Sequence, residues 1–204
     1  TKILTGENVH SIIYQMLSLG VLDRVFENIS VDLPAELSTE YLVNLALLFR
    51  NSGLTGEELA SEMRDLLVLS KNDLLEISMM HECRQLSLDA TIESARRFQA
   101  SVPDRRKKLI MDYLEKIGIE TDKFEKLLRS INPGDLILDP IVKGEKLVFV
   151  TGLPPGPRLG RLKGWLHRRQ VEEASRTEED VLQFLSQIDW ESSDYQEWEA
   201  LSWP

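Results

Sequence analysis

Between Lys146 and Val171 the chain carries five fixed cations, Arg158, Arg161, Lys163, Arg168 and Arg169, together with His167, and no aspartate or glutamate. The chemistry open to such a run is anion binding. The residues leading into it read Gly152-Leu-Pro-Pro-Gly-Pro-Arg-Leu-Gly. Gly156 and Gly160 let another backbone approach closely. Pro154, Pro155 and Pro157 stiffen the turn and limit the entropy lost on binding. Leu159, Leu162 and Leu166 recur at helical spacing and face inward, which leaves Arg158, Arg161 and Arg168 as a cationic stripe. Backbone N–H groups at a helix start favour phosphate, and the donors here are the residues after Pro157. The competing reading is a solvated helix face behind a rigid turn. The missing acid favours phosphate binding over residues 151–170.

Nothing comparable supports catalysis. Nucleotidyl or phosphoryl transfer needs clustered carboxylates for metal ions or a Gly-rich cradle with lysine, and neither pattern occurs. Asp135 and Asp139 flank Leu-Ile-Leu and read as turn and capping residues. His81, Glu82 and Cys83 are adjacent in a helical stretch. Metal ligands on a helix sit three or four residues apart so as to share a face, so these three read as a partly buried cysteine beside surface polar groups. His10 and His167 have no neighbouring nucleophile. No catalytic and no metal-ligating residue is therefore expected in this chain.

Taken whole, the net charge of −10 argues against a polyanionic partner; divided along the chain, it does not. From Glu172 onward there are ten acids and one base, Arg176; taking these from totals of 34 and 24 leaves 24 acids against 23 bases. Acidity belongs to the tail, and distribution governs association. The first residues read as no signal peptide, and no apolar run is long enough to span a bilayer, so no membrane partner is expected. Cys83 is the single cysteine among 204 residues. A reducing, intracellular setting is expected: cytoplasm, nucleus or mitochondrion.

The elements that must position the basic run are helices. Val9, Ile12, Ile13, Met16 and Leu17 describe an amphipathic helix that stops at Gly20. A short helix follows over 21–27. Ser38 or Thr39 caps a helix whose run over 41–49 is apolar nearly all round, so it belongs at the centre of a core. Thr55 with Glu58, and Ser70 with Asp73, have capping-box spacing. Leu74, Leu75, Ile77 and Met80 continue inward. Helices are expected over 89–100, over 103–117 with Pro103 in the first turn, and from Thr121 to about 131. Arg105-Arg-Lys-Lys, within a second basic region at 96–108, reads as an exposed helix start. Residues 146–151, Lys-Leu-Val-Phe-Val-Thr, read as a strand by propensity, without a second strand nearby. A helix through Gln170 follows, and Thr177 with Asp180 opens the last one. The final fifteen residues are acidic and carry Trp190, Tyr195, Trp198 and Trp203. Two readings stay open for them: a short helix whose aromatics dock on the body, or an acidic flap that competes with RNA for the basic stripe.

Gly144, the Pro-Gly-Pro block 152–162, Leu166, Gln170 and Thr177-Glu-Glu-Asp together resemble the C-terminal region of class II tRNA nucleotidyltransferases, the CCA-adding enzymes. Lys2-Ile-Leu-Thr-Gly leading through Leu19-Gly-Val-Leu to Val25-Phe26, and residues 45–50 with Leu69-Ser-Lys-Asn-Asp, look like that family's segments beyond the neck. The resemblance implies an all-α, elongated body and tail that hold tRNA by shape and backbone. It implies a partner head and neck, carried elsewhere, that transfer CMP and AMP from CTP and ATP with Mg²⁺. None of the head's or neck's motifs matches here. Carried over as tRNA-contact residues are Gly156, Arg158, Gly160, Arg161, Lys163, Arg168 and Arg169. The strand propensity of 146–151 departs from the short helix the family has there, and the tryptophan tail has no counterpart. The segmentation expected is a helical body, 1–131, a helical tail, 132–188, and an acidic extension, 189–204. The alternative function is a helical protein-interaction adaptor without RNA affinity, contacting its partner through the tryptophan tail.

Overall fold

The computed structural model describes Leu4, Gly6 and residues 8–27 and 29–204. Lys2, Ile3 and Thr5, part of the first block of resemblance, lie outside the described residues. The described chain is all-α. Eleven α-helices follow one another among the described residues, with no strand: α1 (Val9–Ser18), α2 (Val21–Val25), α3 (Tyr41–Leu48), α4 (Gly56–Leu66), α5 (Lys71–Glu82), α6 (Ile92–Ser101), α7 (Asp104–Lys116), α8 (Asp122–Ser130), α9 (Gly144–Thr151), α10 (Pro157–Glu172) and α11 (Glu178–Gln183). They gather into two compact units. One takes Thr1–Leu88 and Asp104–Thr121; the other takes Asp89–Pro103 and Asp122–Pro204. The units therefore interleave along the chain rather than following the three consecutive segments 1–131, 132–188 and 189–204.

In the first unit α3 is the hub, packed against α5 and α7. Seven of its residues, Leu42 to Leu48, are buried. That is the physical outcome of a helix without a polar face. Its one buried amide, Asn44, is fully used: Nδ2 donates to the carbonyls of Leu4 and Ser38, and Oδ1 accepts from the Ser38 N–H. Ser38 thus fixes the chain before α3 without capping it. The N-cap is Glu40, whose side chain makes no cap hydrogen bond, so neither Ser38 nor Thr39 plays the expected role. Phe26 meets Phe49 edge to face with centroids 4.9 Å apart.

Both expected capping boxes are present. Thr55 exchanges bonds with Glu58, and Ser70 with Asp73. Gly56 begins α4 where a Cβ would meet the Ser78 carbonyl oxygen at 2.3 Å, so α4 and α5 can approach only through glycine. On α5, Leu74, Ile77 and Met80 face the core, whereas Leu75 is half exposed, because its position one residue past Leu74 turns it off the buried face. His81 and Cys83 are both fully buried rather than at the surface. Pro103 lies just before α7, outside its first turn.

In the second unit α10 is the hub, against α6, α9 and α11. Leu147, Leu159, Leu162, Leu166, Val181 and Leu185 share one apolar cluster with Trp198. Burying each such leucine contributes about 2–3 kcal/mol. Phe98 of α6 sits edge to face with both Phe124 of α8 and Trp203. The expectation of a strand over 146–151 is corrected: the segment is α9. A lone strand would leave its N–H and C=O groups unpaired. The helix instead buries Leu147, satisfies the Leu147 carbonyl with Thr151 Oγ1 at 2.6 Å, and closes on Gly152 at φ +72°.

Candidate nucleic-acid interface

The first turn of α10 is built as the sequence implies. Pro157 occupies its first position, and the N-cap, Gly156, offers no side-chain acceptor. No acid lies in the first turn. Leu159, Leu162 and Leu166 are buried, which turns Pro157, Gly160 and Arg161 outward. Nothing within 4 Å would obstruct a Cβ at Gly160, and the nearest atom to one at Gly156 is 4.0 Å away. Internal packing therefore requires neither glycine. A glycine inside a helix costs about 0.8–1 kcal/mol relative to alanine.

The remaining basic residues divide into two groups. Arg161 and Lys163 form no ion pair or side-chain hydrogen bond among the described residues, and Arg161 is exposed. Arg158, Arg168 and Arg169 are engaged within their own unit. Arg158 donates through Nε to the Trp190 carbonyl and through Nη2 to the Ser193 carbonyl, both at 2.7 Å. Its guanidinium also lies 5.6 Å and 5.3 Å from the ring centroids of Tyr195 and Trp198. Arg168 pairs with Glu172 and with Glu199, and these carboxylates hold its pKa up against the opposing effect of burial. Arg169 pairs with Glu172 and Glu173 and covers the Phe184 ring.

The run without acids over 146–171 is therefore not uncompensated. Its counter-charges come from Glu172 and Glu173, just beyond it, and from Glu199 in the tail. The stripe expected from Arg158, Arg161 and Arg168 reduces to Arg161, with Lys163 on the neighbouring face.

Glu172 is the residue that charge counting passed over. It is buried, it faces Arg97, Arg168 and Arg169, and its carbonyl accepts from Arg96. Its i+4 and i+3 spacing from Arg168 and Arg169 was readable, and such pairs form on one helix face. The recess around it, about 390 Å³, is lined by Trp165, Arg168, Arg169, Glu172, Gln187, Glu197 and Glu199. Three carboxylates against two guanidiniums do not make a phosphate pocket. Gln170, also buried, accepts from the Ile141 N–H and donates to the carbonyls of Ile137 and Asp139, pinning the loop ahead of α9. His167 is spent on the Leu138 carbonyl.

The tail docks. Its regular structure is a single 3-10 turn, Tyr195–Glu197, rather than a helix. Trp198 and Trp203 are buried, and Ala200 crosses α10 at Gly164, where a Cβ would approach within 3.0 Å. Two of the tryptophans are thus core residues, not an exposed contact for another protein. Arg105, Arg106, Lys107 and Lys108 pair with Asp73, Glu76, Asp104 and Glu40. Asp135 accepts from Arg176. His10 is exposed on α1.

Among the described residues no three His, Cys, Asp or Glu side chains converge on a point that could hold a metal ion. No helix among the described residues is long and apolar enough to cross a membrane. No protein-family model, curated protein or solved structure matches the chain.

Proposed function

We propose that the chain is the tRNA-binding part of a CCA-adding tRNA nucleotidyltransferase. A head and neck outside the given residues would transfer C and A nucleotides from CTP and ATP to the tRNA 3′ end, and this chain would hold the substrate. The observation that carries the binding role is the start of α10. Gly156 and Gly160 are exposed glycines without an internal packing reason, beside an exposed Arg161 and an uncapped helix end.

In this reading a phosphodiester lies across the glycines, close to the backbone. Arg161 and Lys163 supply charge, and the first α10 N–H groups supply donors. Arg158, Arg168 and Arg169 act indirectly, by fixing the tail and the far end of α10. Recognition is of backbone rather than base, as suits folded RNA.

The test is tRNA binding by the chain across a salt series. Two to three phosphate contacts give a slope of log K against log salt of about −2 to −3. Arg161→Glu with Lys163→Glu should lower affinity at least tenfold and flatten that slope by about two, because each phosphate contact carries about one unit. Binding that ignores both substitutions, or ignores salt, overturns the proposal.

A further inference from the structure

A second cationic feature lies in the first unit, and nothing in the tRNA reading uses it. Arg50 follows α3, Arg84 sits in the 3-10 turn Cys83–Gln85 that continues α5, and both line a recess of about 310 Å³ with Asn51, Gln85, Ile117 and Ile119. No acid lines it. Neither arginine forms an ion pair among the described residues. Arg50 donates to the carbonyls of Leu47 and Leu33, at 3.1 and 3.5 Å. Arg84 donates to the carbonyls of His81 and Leu54, at 2.9 and 2.7 Å. A guanidinium has five N–H donors, so each fork keeps donors to spare.

The plain account is that both arginines close helix C-termini. It explains the contacts to Leu47 and His81, at the ends of α3 and α5, but not those to Leu33 and Leu54, which lie outside any helix. A helix C-terminus carries about half a negative charge, so the ends of α3 and α5 offset about one of the two positive charges. The end of α7 is already closed by the Gly118 and Ile119 N–H groups, which bond to Glu115 and Leu114. The two nearest carboxylates face away from the recess: Asp32 accepts from Asn51 Nδ2 and Glu82 from the Gly56 N–H, and neither bonds to a guanidinium. Tyr113, fully buried on α7 and outside the lining, has a hydroxyl without a partner among the described residues. Burial pushes its pKa up to about 12, and Arg84 and Arg50 are both near enough to pull the other way.

We propose that the recess bounded by Arg50, Asn51, Arg84 and Gln85 binds a small phosphate group, either orthophosphate or the phosphate of a small monoester. Arginine forks match the oxygen edge of a phosphate, and the two amides supply further donors. The volume equals about ten waters at ~30 Å³ each, so a compact organic group fits beside the phosphate.

The test is thermal unfolding of the full chain in 10 mM orthophosphate, or 10 mM glycerol phosphate, against chloride of equal ionic strength. With a Kd of about 1 mM, a chain of this size should gain about 3–5 °C. A larger gain with glycerol phosphate identifies a monoester as the ligand, and an equal gain identifies the bare anion. Arg50→Gln with Arg84→Gln should abolish the gain and leave tRNA affinity unchanged. Should that double variant fail to fold, the unaltered chain still decides the matter: phosphate must shift the side-chain amide resonances of Asn51 and Gln85. No gain over chloride, a gain that survives in the folded double variant, or unmoved amides overturns the proposal. So does a loss of tRNA affinity in that variant, which would make the ligand an RNA phosphate. Failure of the Arg161 and Lys163 test would leave this result untouched, because those residues belong to the other unit.

Discussion

At the scale of single residues, burial sets the behaviour of His81. Its Nε2 lies 2.9 Å from the Leu54 carbonyl oxygen, which fixes the proton on that nitrogen, and Nδ1 has no partner among the described residues. Burial, chiefly, holds its pKa below the ordinary histidine value; the Arg84 charge adds to the lowering, and the Leu54 carbonyl and Glu82 oppose it. The unfolded chain therefore takes up a proton at a pH where the folded chain does not, and stability rises with pH. The contribution is intact above about 6.5 and is lost as pH falls below it, toward the folded pKa. Urea unfolding at pH 7.5 and 5.5 should show the unaltered chain losing more stability than His81→Gln. Equal losses would mean that His81 is not the group responsible. The buried state of this histidine was not legible in the sequence, because His-Glu-Cys gives no sign of which residue turns toward Leu54. Arg161 was legible, since its exposure follows from the leucines around it. Arg158 was not, because its partners are carbonyls more than thirty residues away, and carbonyls carry no signature in a sequence.

At the scale of elements, caps and periodicity carried most of the fold. Thr55 with Glu58, Ser70 with Asp73, and Thr177 with Asp180 mark true helix starts, because a side-chain cap is a local bond between neighbours. Helix α9 defeated propensity because β-propensity registers how a residue fits a pleated, paired surface, and this segment has no partner to pair with. The tail is the element whose energetics can be tested most directly. Trp198 and Trp203 bury their rings in the second unit, and removing a buried tryptophan side chain costs about 3–5 kcal/mol. Ending the chain after Ile188 should lower its thermal midpoint and remove most of the near-ultraviolet tryptophan dichroism, leaving only the part from Trp165. The finer question, whether the tail competes with RNA, needs a variant that keeps the tryptophans. Glu199→Gln releases Arg168 from one of its two acids, and a competing flap predicts tighter tRNA binding for it. Unchanged affinity would show that the tail is structural alone.

At the scale of the whole molecule, the sequence suggested consecutive segments while the compact units interleave. The reason is physical. Periodicity reports that a helix has an apolar face, not which distant helix covers it. Helix α6 looked like one more body helix, yet Phe98 packs on Phe124 and Trp203, and Arg96 bonds to the Glu172 carbonyl. A fragment ending at Ile131 should therefore keep α1–α5 and α7 folded and leave α6 and α8 with only each other, without α10 and Trp203. Hydrogen exchange should find 89–103 and 122–131 unprotected in that fragment and protected in the full chain. Protection of both in the fragment would refute the assignment of α6 to the second unit.

The excursion of Asp89–Pro103 into the second unit also sets an order of events during synthesis. The first unit can close once Thr121 has left the ribosome, but α6 must wait for α8, then α10, and last Trp203, about a hundred residues after its own appearance. At roughly 5–20 residues per second that wait is about 5–20 s, long compared with the microseconds in which a helix forms. For much of that interval α6 has no partner but α8, so Phe98 and Ala95 stay incompletely covered on a nascent chain whose first unit is already complete. The newborn protein thus passes through a stage with one finished half and one adhesive helix, the stage at which a chaperone would have most to do.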